Sequence, residues 1–405
     1  MESDDGHGAI RGAMTGGRQS VRFLALYALA AAGGSVSYAP FLSLLFPARV
    51  AAEWGDQGLQ VLSLTAFVGA ISASLANIAF GWLSDRTGGR RGWIFAGVIL
   101  SGILLVAIQM VQDLTAIIAM IVIWQVALNM MLAPLAAWAG DCVPHEQKGT
   151  LGGLLSMSPA MGAVMGAIAT VPGFLSVEMR PAFIAACVAV MVLPVVLLGR
   201  PRPMPQLMID LPEDERMSDG HSHTQVVRMW IARLLVQIAE AALFAFQLFW
   251  FRSIAEDFTE NDTALVFVLV LSGSVPMALL AGRWSDRIRR PVLPLEIAAG
   301  CSAVGLLFMG LSADIMSGVI SYVFFGISSG VFLALHSSQT LRVLPRPSTR
   351  GRDLGLFNLT NTVPSLIMPW LALALVPVFG FDALFLVLGG LCALACLLLL
   401  TMRRL

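Results

Sequence analysis

Glu240 lies near the middle of an apolar run, with Arg233 seven residues before it and Gln237 and Gln247 on matching spacing. Positions 233, 237, 240, 244 and 247 follow the helical period, so a helix here carries a polar stripe on one face. An acid, a base and two amides arranged this way can bind a polar solute or hand on a proton. No nucleophile–base pair or metal-ligand cluster can be assembled around them, so the pattern points to binding and passage rather than to an enzyme. An ionisable group inside an apolar span costs about 2.5–3.5 kcal/mol on insertion scales, which makes each one a functional candidate. Glu240 sits roughly 15 Å from either end of its helix at the usual rise per residue. Withdrawal from water penalises the charged carboxylate, which suits a proton carrier. Arg233 is about one turn from a span end and can snorkel to the surface. Glu296, early in a later span, is expected to pair with a loop arginine, and His336 is expected to cap or pack.

Uncharged polar residues extend the set. Span one offers Ser35, Ser37 and Tyr38, span four offers Trp124, Gln125 and Asn129, and span eleven offers Asn358 and Asn361. Asn129 falls one turn after Gln125 on the same face. These groups suit a neutral polyol, with Tyr38 or Trp124 as a flat apolar surface for a sugar ring. Ordinary interhelical hydrogen bonding, at about 0.6 kcal/mol per contact, is the competing explanation for each.

The elements that must hold these residues are membrane helices. The chain is 57% hydrophobic and 12% charged, whereas soluble domains carry about 25% charged residues. Its mean hydropathy is +0.81. Stretches of about 20 apolar residues can span a bilayer. Twelve such stretches are expected, near 22–46, 59–83, 92–111, 114–139, 150–175, 181–199, 229–251, 263–282, 291–312, 313–341, 354–376 and 383–402. The fold class is therefore all-α, with twelve transmembrane helices in two pseudo-symmetric six-helix halves. Residues 1–21 read as a polar, disordered cytoplasmic tail without a secretory signal, and Met14 is an alternative start. The first half covers 22–199, a polar linker 200–228, and the second half 229–405. Arg49, Arg180 and Arg252 fall outside and Arg233 within a span, which leaves 21 of the 25 Arg and Lys on the cytoplasmic side when both termini are inside. That bias sets the orientation, in a cell (inner) membrane.

Zero formal net charge shows no nucleic-acid footprint. The five cysteines have no metal-ligand spacing and read as small buried hydrophobes. His221 and His223 alone in a loop are too few for a metal site. No phosphate-binding loop of the Walker type occurs, and no cofactor is expected. The expected partners are a small-molecule substrate, a proton and the bilayer, for a monomer.

Two short loops supply the strongest signal. Gly81-Trp82-Leu83-Ser84-Asp85-Arg86-Thr87-Gly88-Gly89-Arg90-Arg91 follows span two. A reduced copy, Gly282-Arg283-Trp284-Ser285-Asp286-Arg287-Ile288-Arg289-Arg290, returns 201 residues later after span eight. Gly149 and Gly351 repeat at nearly the same offset, after spans four and ten. These loops resemble the cytoplasmic signature of the major facilitator superfamily of transporters, and the resemblance covers nearly the whole chain. It implies alternating access between the two halves, with a substrate site at their interface. It also implies a gating role for Gly81, Asp85, Arg86 and Arg90, with Gly282, Asp286 and Arg287 as their counterparts. Charged hydrogen bonds across the seam between halves would hold one conformation and release in the other.

Ser84-Asp85-Arg86-Thr87 with Arg90-Arg91, and the run from Arg352-Asp353-Leu354-Gly355 to Asn361-Thr362-Val363-Pro364, look like the glycoside–pentoside–hexuronide and sucrose branch. That branch implies a sugar or glycoside as the solute, and Glu240 is the candidate for coupling its transport to protons. Span two carries no carboxylate, which speaks against sodium coupling. Ser158-Pro159-Ala160-Met161-Gly162-Ala163 is a degenerate match to the hallmark of drug/proton antiporters, and drug or metabolite efflux is the alternative. A non-transporting receptor or assembly factor on the same fold is the reading from another class.

Overall fold

The computed structural model describes residues 18–144, 147, 151, 154–155, 157–204, 223–288, 290, 292–343 and 350–402. Among them the chain forms twelve helical legs. α1 is Val21–Pro40, continued by a π turn, Phe41–Leu45, and by Phe46–Trp54. The first half continues with α2 (Gly58–Thr87), α3 (Arg90–Ala107), α4 (Leu114–Cys142), α5 (Ser158–Thr170) and α6 (Arg180–Leu198). The second half has α7 (His223–Ile254), α8 (Glu260–Ile288), α9 (Leu293–Gly310) and α10 (Ile315–Val343). Its last helical run divides at Gly380 into α11 (350–379) and α12 (381–400).

Local chemistry accounts for several boundaries. The Ser20 hydroxyl accepts from the Phe23 amide and starts α1, and the Asp113 carboxylate does the same for Ala116 at α4. Pro40 has no amide hydrogen to give to the helix, and the chain widens into the π turn directly after it. Gly380, at φ 75°, adopts the left-handed conformation that divides α11 from α12. The chain leaves α5 after Thr170, five residues before the expected end of span five. α7 begins at His223, six residues ahead of its apolar run.

The outside of the bundle is apolar. Leu75, Val190, Ile320 and Leu397 are all exposed, a surface suited to lipid and not to water. Inside, α1 packs on α5 and α6, while α4 packs on α2 and α3. The second half repeats this plan, with α10 against α8 and α9 and α7 against the α11–α12 run. Gly97 lets α3 lie directly on α4: a side-chain carbon there would fall 2.5 Å from the Met131 amide nitrogen. Gly162 and Gly166 bring α5 against Ser35, Ala39 and Leu44 of α1. The halves touch chiefly through α5 with α8 and α2 with the α11–α12 run. The chain is a multi-pass membrane protein.

Candidate functional site

The two halves close on each other at the end of the bundle opposite the signature loops. Asn261, at the start of α8, donates to the carbonyl of Ala167 at 3.0 Å and lies 3.3 Å from Thr170 Oγ1, both at the end of α5. Leu44, Ala167 and Ala264 form a buried apolar cluster beside it. The rings of Phe67 and Trp370 meet edge to face at 5.6 Å, and those of Tyr38 and Phe244 lie 6.5 Å apart. Each of these pairings crosses from one half to the other.

The signature-loop end is different. A side-chain carbon on Gly81 would meet nothing within 4 Å, and Trp82 and Trp284 are exposed. Arg90 forms an ion pair with Asp85, a second with Asp141 at 3.0 Å, and donates to Ser84 Oγ at 2.6 Å. Arg86 stacks on Trp82 in its own helix. Among the described residues the charged bonds of Arg90 stay inside the first half. Arg91 does more than bias topology, since it bonds the Gly199 carbonyl and lies over Trp138. At the second loop, Gly282 faces Leu335 of its own half and Arg287 is exposed. The side chain of Asp286 lies outside the described residues. Among the described residues the side-chain contacts between the halves lie at the opposite end, which leaves the space between the halves open toward the signature loops.

α7 lines the second half of that cavity with its polar stripe. Gln237 donates to Asn361 Oδ1 of α11 at 2.6 Å, and Asn361 is exposed although it lies well inside its helix. Arg233 does not snorkel. It is 6% exposed, with its Nε donating to Thr360 at 3.2 Å and a terminal nitrogen 3.5 Å from His336 Nδ1. His336 Nε2 lies 2.9 Å from the Met229 carbonyl. Donation along that contact leaves Nδ1 to accept from Arg233. Glu240 is half-buried and lies near Ser329 on α10. Gln247 is wholly buried and accepts from the Tyr322 hydroxyl.

The first half contributes less than its residue types suggest. Trp124 is fully buried, edge-on to Phe41 at 5.0 Å, so the expectation of a ring platform there is corrected: it is core. Asn129 accepts from Asn77 Nδ2 at 3.1 Å and donates to the Gln125 carbonyl at 2.9 Å. Gln125 and Asn129 are both buried. Tyr38 faces Phe244 of the second half. The side chain of Asn358 lies outside the described residues.

Residues 23–252, and in a second overlapping match 229–405, fit the family described as Major Facilitator Superfamily. The chain belongs to the major facilitator superfamily. It is accordingly a membrane transporter of the secondary type and not an enzyme. Among solved structures, this major facilitator chain is similar to the one titled "Crystal structure of a POT family transporter in complex with 5-aminolevulinic acid". The TM-score is 0.73 at 14% identity, over 95% of this chain and 96% of that one. A likeness at that identity is one of fold. No curated protein matches the chain.

The partners of the α7 stripe in this major facilitator fold were hidden in the sequence. Ser329, Tyr322 and Thr360 carry no charge and sit in runs of similar small or aromatic residues, and His336 reads as an end-of-span histidine. One signal was available. Tyr322, Ser329 and His336 repeat at seven residues, as do Arg233, Glu240 and Gln247.

Proposed function

We propose that this protein moves a small, uncharged, hydroxyl-rich solute such as a sugar or glycoside together with protons, by alternating access across the cell (inner) membrane. The observation that carries the reading is the Gln237–Asn361 amide pair at 2.6 Å, presented to the cavity between the halves. An amide pair offers both donors and an acceptor to hydroxyl groups without demanding a charge. The 21 basic residues assigned to the signature-loop side put that side, and both termini, in the cytoplasm. The cavity then opens inward, and transport requires the far-end contacts of Asn261 and Leu44 to break while the signature loops close. The working unit is a monomer, since each half supplies one wall.

Internal pH of proteoliposomes, followed while neutral mono- and disaccharides are added outside, tests the reading. Sugar-driven proton entry supports it. An unchanged internal pH in folded, correctly oriented protein removes it for the sugars tried. A second reading, efflux of an apolar compound by proton antiport, is favoured by the aromatic pairs Tyr38–Phe244 and Phe67–Trp370 at the closed end of the cavity. Dye extrusion driven by an imposed pH gradient would select it.

A further inference from the structure

The start of α1 and the end of α6 lie side by side at the signature-loop end of the first half, with a cavity of about 430 Å³ between them. Ser20, Arg22 and Leu26 line it from α1, and Leu197, Leu198 and Arg200 from the end of α6. The volume falls within the roughly 300–1,000 Å³ usual for small-ligand sites. α1 runs for 20 residues and α6 for 19, each about 30 Å at the usual rise, the thickness of a hydrocarbon core. Arg22, second in α1, and Arg200, two past the end of α6, therefore lie where lipid headgroups begin. Both are exposed, as are the neighbouring Val21, Leu197 and Leu198.

The walls of this cavity are tied down on both sides. The Gln19 side chain, which is buried, donates to the Arg202 carbonyl at 2.7 Å and accepts from the Arg202 amide at 3.0 Å. The Gln19 backbone exchanges two more bonds with the Gln147 side chain, at 2.6 and 3.1 Å. Arg91 of α3 donates to the Gly199 carbonyl. Arg200 therefore stands between two anchored residues, Gly199 and Arg202. Ser20 Oγ accepts from the Phe23 amide and fixes the turn that carries Arg22. A ligand that binds here pays little to order the backbone around it.

Charge indicates what that ligand is. Among the described residues neither Arg22 nor Arg200 has an ion-pair partner. The described acids at this end of the first half, Asp85 and Asp141, are taken by Arg90. Arg18 and Arg202 stand at the same corner, where the Arg202 guanidinium donates to the Arg18 carbonyl at 3.0 Å. The second half has no such surplus at the matching place. Under the 201-residue offset that relates the signature loops, Arg200 corresponds to Thr401, and Arg228 donates to its hydroxyl at 3.2 Å. A guanidinium fork fits the oxygens of a phosphate. Uncompensated arginines beside lipid-facing leucines complement a headgroup of net negative charge, whereas the ammonium of a choline headgroup would be repelled.

We infer that the α1–α6 cavity binds one anionic phospholipid, with Arg22 and Arg200 holding its phosphate and Leu26, Leu197 and Leu198 receiving the first carbons of its acyl chains. The bound lipid bridges the start of the first half to the root of the linker that leads to the second. The site is remote from the space between the halves and does not depend on which solute is carried.

Native mass spectrometry of the full chain in detergent, titrated with phosphatidylglycerol or phosphatidylcholine, tests the site. The expected result is one phosphatidylglycerol held in preference to phosphatidylcholine. Arg22→Gln and Arg200→Gln should each raise its apparent Kd by about fivefold, the worth of one arginine at an anionic headgroup, and together by roughly thirtyfold. Both side chains are exposed, so the variants should keep the melting temperature of the lipid-free protein. Arg283→Gln, an exposed arginine of the second half, should leave the Kd unchanged. Equal affinity for the two lipids overturns the inference, as does a Kd unmoved by the double variant. A loss in Arg283→Gln as large as that in Arg22→Gln overturns it in favour of diffuse charge attraction. Inorganic phosphate that displaces the lipid at equal concentration overturns it in favour of a soluble anion, since the leucines then contribute nothing.

Discussion

Asn261 of α8 donates to the Ala167 carbonyl of α5 at 3.0 Å and so ties one half of the transporter to the other at its closed end. Its amide also lies 3.3 Å from Thr170 Oγ1. Opening that end must break both contacts. At about 0.6 kcal/mol for each interhelical contact, Asn261→Ala should shift the balance between closed and open far ends by roughly eightfold. Labelling of cysteines placed along the far end, in sealed vesicles, reads this directly. Unchanged labelling would detach Asn261 from the gate.

Gln237 and Asn361 hold each other at 2.6 Å in the wall of the cavity. A solute hydroxyl that inserts between them exchanges one neutral hydrogen bond for others. Gln237→Leu and Asn361→Leu should each raise KM by about three- to tenfold, the worth of one such bond, with kcat and melting temperature little changed. A fall in kcat at constant KM would place the pair in the conformational step instead.

Arg90 organises the signature loop from a side chain that is 13% exposed, reaching Asp85, Asp141 and Ser84 together. Three partners on different sides suit the planar guanidinium and not a lysine ammonium. Arg90→Ala should cost about 1–2 kcal/mol of stability, most of it from Asp141, because the exposed Asp85 pair is screened by water. Arg90→Lys should recover little of that. Thermal unfolding of the purified variants in detergent checks both statements.

Hydropathy and the loop repeat are local properties, and they were enough to expect twelve spans in two halves and the position of the signature loops. The α7 stripe was legible for the same reason, since helical spacing puts Arg233, Gln237, Glu240 and Gln247 on one face whatever packs against it. What faces that stripe depends on the register between helices far apart in sequence. Arg233 and His336 are 103 residues apart and meet only because α7 and α10 run antiparallel at one particular offset. Trp124 misled for a related reason: its residue type suits a sugar platform, but the approach of Phe41 decides that it is core. The charged loop also looked like a link between halves, whereas in this conformation Arg90 spends all its described bonds within one.

Gly97 and Gly81 make opposite predictions from the same substitution. A side-chain carbon on Gly97 would lie 2.5 Å from the Met131 nitrogen and 2.8 Å from its Cα. Backbone cannot move aside as a flexible side chain can, so Gly97→Ala must push α3 off α4. Overpacking of this kind costs about 1–3 kcal/mol, which should appear as a lower melting temperature and poor membrane yield. A side-chain carbon on Gly81 meets nothing within 4 Å while the cavity is open toward the signature loops. Gly81→Ala should therefore leave the stability of this conformation within about 0.5 kcal/mol. Its effect should fall on the other conformation, in which closure of the loops brings a neighbour to the glycine. Transport should slow by about tenfold if that closed state is raised by 1.4 kcal/mol, while far-end cysteines become less reactive as the population moves toward the inward-open state. If Gly81→Ala transports at the normal rate with normal labelling, the glycine makes no close contact in either conformation, and closure does not bring a neighbour against it.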